Sequence, residues 1–414
     1  FLLILFFVSL FIVLSTIGIE TDKFNKLIIS KIKKTSNKVD LKIESIKFKI
    51  DFKELSLFLE TINPQINYRT SNLPAKSIKV YIDFFPLLKN ETKIKKINLV
   101  LEQLNINQFK KAIVALKPSN FTSFINSNIN DGSINTELQI YFNNENQLSN
   151  FIAKGSVSNV DLTIQKGINL KETSFNFFGD KTDILIKKLN GETETIKILD
   201  GDIKLNLSEE ISLISNFKTK IKHQSENYEF LKLIKKFKFF ENIKSFEAET
   251  KNVFEIKLDK TYQIKDFNYK AKGRLFKANL NIKKNSTNLL FKDQINKLSL
   301  QDTDIDAEFS PGKTALNLSG KYSLNKGNFL NFKLKNLKNR ELINLEIDTE
   351  YDKGVNVELI NYQKPKDRIS KILLILIKKK NNLKIDTFNY SDGENLISAE
   401  GVEFNQGNLS SLKK

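Results

Sequence analysis

Phe254-Glu255-Ile256-Lys257-Leu258 places an apolar side chain at every even position and a charged one between each pair. A period of two marks a strand with one apolar and one wetted face. The same spacing runs through Val39-Asp40-Leu41-Lys42-Ile43-Glu44 and on through Ile46, Phe48, Ile50 and Phe52. It returns at Ile97–Leu101, Ile134–Ile140, Val160–Ile164, Ile203–Leu207, Leu345–Ile347 and Val355–Leu359. Asp131-Gly132, Asn190-Gly191, Asp200-Gly201 and Asp392-Gly393 read as turns between strands. The pattern therefore predicts a mainly β chain with a few short helices. One helix is expected near Asn107 to Leu116, closed by Pro118, and another near Tyr228 to Phe237, over a sheet end or against lipid. Ile372 to Ile377 is six apolar residues, which reads as a buried strand and is too short to span a membrane.

Composition narrows the chemistry. The 414 residues include no Cys, no Trp, no Met and a single His. Disulfides, thiolate metal sites and a cysteine nucleophile are excluded, as is a multi-His metal centre. The net charge is +18, yet only Arg69, Arg274, Arg340 and Arg368 among 66 basic residues are arginines. A Lys-, Asn-, Ile- and Phe-rich chain with little Arg, Pro or Gly reflects AT-rich coding. A nucleic-acid binder would more often use Arg for phosphate and base contacts. The charge is read as solvated Lys on strand faces, with no nucleic-acid partner and a secondary attraction to anionic lipid head groups.

Residues 1–19 read FLLILFFVSLFIVLSTIGI without a charge. A helix of that length spans about 28 Å, close to the ~30 Å hydrocarbon core. Phe1, Leu5, Phe7, Phe11 and Leu14 are its expected lipid-facing side chains. Ser15-Thr16-Ile17-Gly18-Ile19 lacks an A-x-A-like cleavage spacing, which favours an uncleaved anchor over a signal peptide. After Thr21-Asp22, a helix cap, Phe24, Leu27, Ile28 and Ile32 fall on one helical face. They suit either a core helix or one lying on the membrane surface.

Internal similarity carries the domain reading. Phe151-Ile-Ala-Lys-Gly155 through Val160-Asp-Leu162-Thr-Ile164 aligns with Tyr269-Lys-Ala-Lys-Gly273 through Ala278-Asn-Leu280-Asn-Ile282. Downstream, Leu170-Lys-Glu-Thr173 followed by Gly191 matches Leu300-Gln-Asp-Thr303 followed by Gly320. A third start is read at Ile397-Ser-Ala-Glu-Gly401. The expected organisation is an anchor (1–19), an N-terminal module (20–117), a first repeat unit (118–268), a second (269–396) and the start of a third, truncated one (397–414).

Gly18-Ile19-Glu20-Thr21 and Phe24-Asn25-Lys26-Leu27-Ile28 after an apolar segment resemble the start of the AsmA-like superfamily of envelope proteins, which includes AsmA, TamB and YhdP-type members. Leu73-Pro74-Ala75-Lys76-Ser77 running into Phe85-Pro86-Leu87-Leu88, and Ile94 to Leu101 followed by Leu104-Asn105-Ile106, are similar to the family's next strands. The Gly155, Gly273 and Gly401 segments resemble its later repeats. The resemblance implies a transmembrane helix in the bacterial inner membrane, followed in the periplasm by an elongated, twisted antiparallel β-groove, a repeating, β-solenoid-like unit. It implies transport of phospholipid between inner and outer membranes, with acyl chains as ligand, no enzymatic activity, no cofactor and no metal. Val160, Leu162, Ile164, Leu205, Leu207, Ile256, Leu258, Leu280 and Ile282 are the groove candidates. Roughly 25 strands at about 4.8 Å each would give a track of about 120 Å. The alternative is an envelope scaffold or assembly factor for outer-membrane proteins, without lipid transport. Periodicity cannot separate an open groove from a closed core, because both need the same alternation.

Catalytic patterns are few. His223 lies among lysines and reads as a surface residue, and no Gly-x-Ser-x-Gly elbow or phosphate loop accompanies it. Asp302, Asp304 and Asp306 alternate along one strand, but Ala307 and Lys313 stand where a calcium loop needs Gly and Glu.

Overall fold

The period of two is realised as antiparallel strands joined mostly by short turns. The computed structural model describes the chain except at 1, 23–24, 27–28, 31–38, 52–55, 63, 69–70, 84–85, 87–92, 117–119, 146, 166–167, 209, 224–242, 260–262, 283–294, 358–359, 367 and 413–414. The amphipathic helix expected on Phe24, Leu27, Ile28 and Ile32 and the helix expected near Tyr228 to Phe237 rest on positions outside the described residues. The described residues form two compact units. The first holds Phe1–Glu192 with Asp202–Glu209, the second Thr193–Gly201 with Glu210–Lys414.

The N-terminal helix is shorter than the apolar run suggested. Helix α1 covers Leu2–Thr16. The hydroxyls of Ser15 and Thr16 donate back to the Ile12 carbonyl at 2.8 and 2.7 Å. Gly18 then takes a left-handed φ of +79°, the conformation that ends helices at glycine. Ile19–Thr21 becomes strand β1, with Thr21 paired with Ile46. Fifteen residues span about 22 Å against the ~30 Å of a hydrocarbon core. No helix among the described residues is long and apolar enough to cross a membrane.

In the first unit the strands are β2 (Val39–Lys42), β3 (Ile46–Asp51), β4 (Ser56–Ile62), β5 (Gln65–Tyr68), β6 (Ser71–Ile82), β7 (Ile94–Leu101), β8 (Leu104–Asn105), β9 (Ile129–Asn130), β10 (Ser133–Phe142), β11 (Leu148–Gln165), β12 (Ile168–Gly179) and β13 (Asp183–Glu192). The main ladder runs β1–β3–β4–β6–β7–β10–β11–β12–β13. Strand β2 pairs with β5, and β5 with the start of β6. Helices α2 (Ile106–Leu116) and α3 (Asn120–Asn128) interrupt between β8 and β9. A reciprocal cap starts α2: Gln108 N–H donates to Asn105 Oδ1 at 2.9 Å and Asn105 N–H to Gln108 Oε1 at 3.0 Å. Two clusters make the core. Leu41, Ile46, Leu59, Ile66, Ile78 and Val80 fill the first, and Leu104, Ile106, Ile134, Val157 and Val160 the second.

Strand β14 (Ile196–Asn206) is divided between the two units. The second unit continues with β15 (Ile211–His223), β16 (Ile243–Leu258), β17 (Ile264–Asn281), β18 (Lys297–Ser310), β19 (Lys313–Leu324), β20 (Leu330–Asn339), β21 (Leu342–Tyr351), β22 (Val355–Val357), β23 (Tyr362–Lys364), β24 (Ser370–Lys379), β25 (Asn382–Ser391), β26 (Leu396–Asn405) and β27 (Asn408–Ser411). From β16 to β21 each strand pairs with the one before it; β24 then pairs with β21, and the meander continues to β27. Strands β22 and β23 form a separate hairpin.

Two of the four turn signals lie inside strands: Asn190-Gly191 in β13 and Asp200-Gly201 in β14. The reason at Gly191 is a bulge. Glu172 and Thr173 of β12 together oppose Gly191, with Glu172 at a φ of +50°. Asp302 and Thr303 of β18 oppose Gly320 in the same way, with Asp302 at +48°. An extra residue on one strand bends it and raises its twist. Thr173 and Thr303 are fully buried, and a Cβ at either glycine would press into the threonine. Gly401, in contrast, takes a φ of +62° and sits within an unbroken β25–β26 register.

Candidate functional site

Pairing register fixes which side chains share a face. In the second unit, Leu316, Leu318, Leu334, Leu345, Ile347, Leu374 and Leu376 fall on one side of β19, β20, β21 and β24. The same side continues through Leu213, Phe217, Phe254, Ile256, Phe267, Ile305 and Ala307 on β15 to β18. No Asp or Glu points to this face from any described strand between β15 and β26. Among the described, regularly paired positions of these strands, the Lys residues on it are Lys338 and Lys378. Most of its large side chains from β19 to β25 are half-buried, and no described helix lies in the second unit.

The opposite face is charged. Lys272 pairs with Asp306 at 3.0 Å, Lys220 with Glu249 at 2.7 Å, Arg274 with Asp302 at 3.3 Å and Lys335 with Glu346 at 2.9 Å. Exposed pairs of this kind contribute about 0–1 kcal/mol each, so they set solubility and register more than stability. Two of the three aspartates with calcium-like spacing are thus engaged, Asp302 in the bulge by Arg274 and Asp306 by Lys272. The first unit repeats the division. Ile97, Leu138, Ile140, Phe151 and Phe177 share the apolar side, while Lys154 and Glu137 pair at 3.0 Å on the other. Burial would raise the Glu60 carboxyl, but Lys49 at 2.7 Å and Lys79 at 3.5 Å outweigh it and hold it below its ordinary value.

One polar knot interrupts the apolar face. Tyr269 donates to Asn252 Oδ1 at 2.8 Å, Thr219 and Thr250 hydroxyls meet at 2.7 Å, and Asn252 Nδ2 donates to Thr219 Oγ1 at 3.2 Å. Asn252 is only 3 % exposed, and burial raises the Tyr269 hydroxyl above its ordinary value. Each group already has a partner, so a hydrocarbon laid over the knot strands no polar atom. Asn252 carries a legible signal: an amide at an even position, in phase with Ala248 and Phe254.

A second polar cluster ties the β22–β23 hairpin to β25. Tyr362 donates to Asp392, whose other oxygen accepts the backbone N–H groups of Glu394 at 3.0 Å and Asn395 at 2.7 Å. The Tyr362 hydrogen bond, aided by those N–H groups, outweighs desolvation and holds the Asp392 carboxyl far below its usual range. Burial first, then the Asp392 and Tyr390 contacts, push the Tyr362 hydroxyl up. Arg368 clasps Glu394 with two bonds at 2.7 and 3.0 Å.

The residues singled out from sequence are distributed unevenly. Ile256 and Leu258 are half-buried on the apolar face of the second unit. Leu280 is buried in a cluster with Ile243, Ala248, Leu275 and Ala278, and Ile282 follows β17, 39 % exposed. Val160 sits beneath α2 in the second core cluster, and Leu162, half-buried, pairs with Leu170. Ile164 lies in β11, Leu205 is half-buried in β14, and Leu207, just past β14, donates its N–H to the Thr182 carbonyl. Leu5, Phe7, Phe11 and Leu14 lie in α1, with Leu5 and Phe11 exposed; Phe1 is outside the described residues.

Two expectations are corrected. His223 is buried rather than on the surface, because the β15 period places it with Ile221 on the apolar face. Ile372 to Ile377 are half-buried, not fully buried. Leu373, Ile375 and Ile377 face Asp348, Glu346 and Asn344 on the charged side, where only a single sheet layer is described.

No protein-family profile, curated protein or solved structure matches the chain.

Proposed function

We propose that this protein is a passive carrier of phospholipid, with acyl chains lying along the apolar sheet face and head groups in water. The observation that carries the proposal is the face itself: half-exposed, free of carboxylates from β15 to β26, and uncovered by any described helix. Moving a lipid through water costs about 0.8 kcal/mol per exposed CH₂, and a run of Leu, Ile and Phe removes most of that cost without any chemistry. No cofactor or catalytic group enters this scheme. The exposed side chains of α1, with Leu3 at 71 % and Phe6 at 63 %, support its seating in lipid as an anchor. Inner-membrane anchorage, a periplasmic sheet, and transfer toward the outer membrane follow the AsmA-like resemblance.

The experiment is transfer of labelled phospholipid between vesicles, together with mass spectrometry of lipid extracted from the purified chain. Leu345→Asp/Ile347→Asp puts two carboxylates on the track and is expected to abolish transfer while the strands persist. Absence of bound lipid and of transfer by the unmodified protein would refute the reading. Cross-links to outer-membrane barrels in that case would favour the assembly-factor role.

A further inference from the structure

Among the described, regularly paired positions, the apolar face of the second unit is neutral except at one margin. Lys338 is the last apolar-side position of β20, and Lys378 holds the equivalent place on β24. Both are in register with Ile343 of β21, the strand between them. Two strand spacings separate them, about 10 Å. Arg340 and Glu341 form the adjoining β20–β21 turn, with Glu341 paired to Lys380 at 3.5 Å. Lys338 and Lys378 are exposed, and neither forms an ion pair among the described residues. Inward from them the same face offers only Asn336, Leu345, Leu376 and then Leu334, Ile347, Leu374. The margin at the other end of these strands is different in kind: Asp352 and Asp392 are buried there.

We infer that Lys338 and Lys378 form a head-group lip that receives the phosphodiester of an anionic phospholipid, whose acyl chains run inward over Leu345 and Ile347. The inference rests on the lipid-carrier reading and adds to it a place and a charge preference. Two features select this occupant. An unpaired cation beside a continuous hydrocarbon surface suits a molecule that is anionic at one end and apolar at the other. A soluble phosphate would use the lysines and leave the apolar rows uncovered. A neutral lipid would use the rows and leave the lysines idle. No carboxylate points to this face from the described strands, and Glu341 at the β20–β21 turn is engaged by Lys380 at 3.5 Å, which leaves Lys338 and Lys378 to the phosphate. The preference is thus electrostatic and salt-dependent.

The test uses the full chain loaded from vesicles of phosphatidylglycerol and, separately, from vesicles doped with diacylglycerol, which has the same tails and no phosphate. Lys338→Gln/Lys378→Gln is expected to lower phosphatidylglycerol loading about tenfold and to flatten its salt dependence. Diacylglycerol loading should not change. Lys333→Gln/Lys335→Gln, on the charged side of β20, is the matched control and should change neither. Unaltered phosphatidylglycerol loading by the first variant, with diacylglycerol still taken up, overturns the lip while leaving the carrier reading intact. Failure of the unmodified chain to load either lipid overturns both. Displacement of phosphatidylglycerol by millimolar glycerol 3-phosphate would show a soluble-phosphate site and overturn the inference as well. Lys338→Glu/Lys378→Glu, folded by circular dichroism, should exclude phosphatidylglycerol more strongly than the Gln pair, and equal loading by the two variants counts against the lip.

Discussion

Replacing Gly273 by Ala should open the β16–β17 ladder locally. Gly273 lies directly opposite Thr250. A Cβ there would sit 2.7 Å from the Thr250 Cα, 2.9 Å from the Glu249 carbonyl carbon, and closer still to its oxygen. Carbon atoms in contact need about 3.5 Å, so the strands must part by about 0.8 Å or more. A ladder bond of about 2.9 Å stretched by that amount passes beyond the ~3.2 Å limit of a sound N–H···O bond. Losing two such bonds costs about 1 kcal/mol each, and residual overpacking adds about 1–2 kcal/mol. The sum, about 3 kcal/mol, corresponds to roughly a hundredfold in local opening. Hydrogen exchange resolved to β16 and β17 peptides should therefore quicken by about two orders of magnitude. Gly179→Ala is the control, because its Cβ would meet nothing nearer than 3.6 Å. Equal exchange in the two variants would refute the close-approach argument. Gly155 carries the same expectation in the first unit, where a Cβ would lie 2.9 Å from Phe177 Cζ and overlap the Asn135 carbonyl.

Other expectations follow from burial and charge. Asp392 has a folded pKa below its unfolded value of about 3.9, so its contribution to stability is full above about pH 4 and is lost as pH falls through the folded value. Tyrosine circular dichroism should report loosening of the β22–β23 hairpin on acidification, and Asp392→Asn should remove that pH dependence at a cost of about 1–3 kcal/mol. Leu280→Asp buries an unpaired carboxylate in the cluster with Ala248 and Leu275, and should cost at least about 3 kcal/mol in urea unfolding. Leu345→Asp, on a half-buried site, should leave the midpoint within about 1 kcal/mol while lowering lipid transfer. Ile375→Lys, opposite Glu346 on the charged side, should unfold within about 0.5 kcal/mol of the parent, and a larger loss would mean that a second layer covers that side.

Strand existence was legible because alternation at Phe254–Leu258 or Ile134–Ile140 has a single physical meaning. Strand length was not. Strand β17 runs 18 residues through Lys-Ala-Lys-Gly and on to Asn281, and its bulge beside Phe276 breaks the period that a reader counts. Asn190-Gly191 misled for a related reason: the dipeptide that usually turns a chain instead supplies the glycine opposite a bulge. Helix α1 was legible as apolar, but its end depended on Gly18 adopting a left-handed φ and on Ile19 finding Phe48 across a ladder. The apolar face could be assigned from period alone, whereas its lack of carboxylates became visible only with register. Lys338 and Lys378 are unremarkable among so many lysines until pairing places them on the side of Leu334 and Leu374.

The second unit is a succession of hairpins in which neighbours in space are neighbours in the chain, apart from the small β22–β23 excursion. Such a ladder has low contact order, so it can grow strand by strand during synthesis without waiting for distant segments. It also makes length an easily inherited trait. Duplicating or deleting one hairpin changes the span by two strand widths, about 10 Å, and leaves every remaining rung intact. The β22–β23 hairpin lies between β21 and β24 in the chain yet adds no rung to the ladder, so the pairing of β21 with β24 tolerates a long connection.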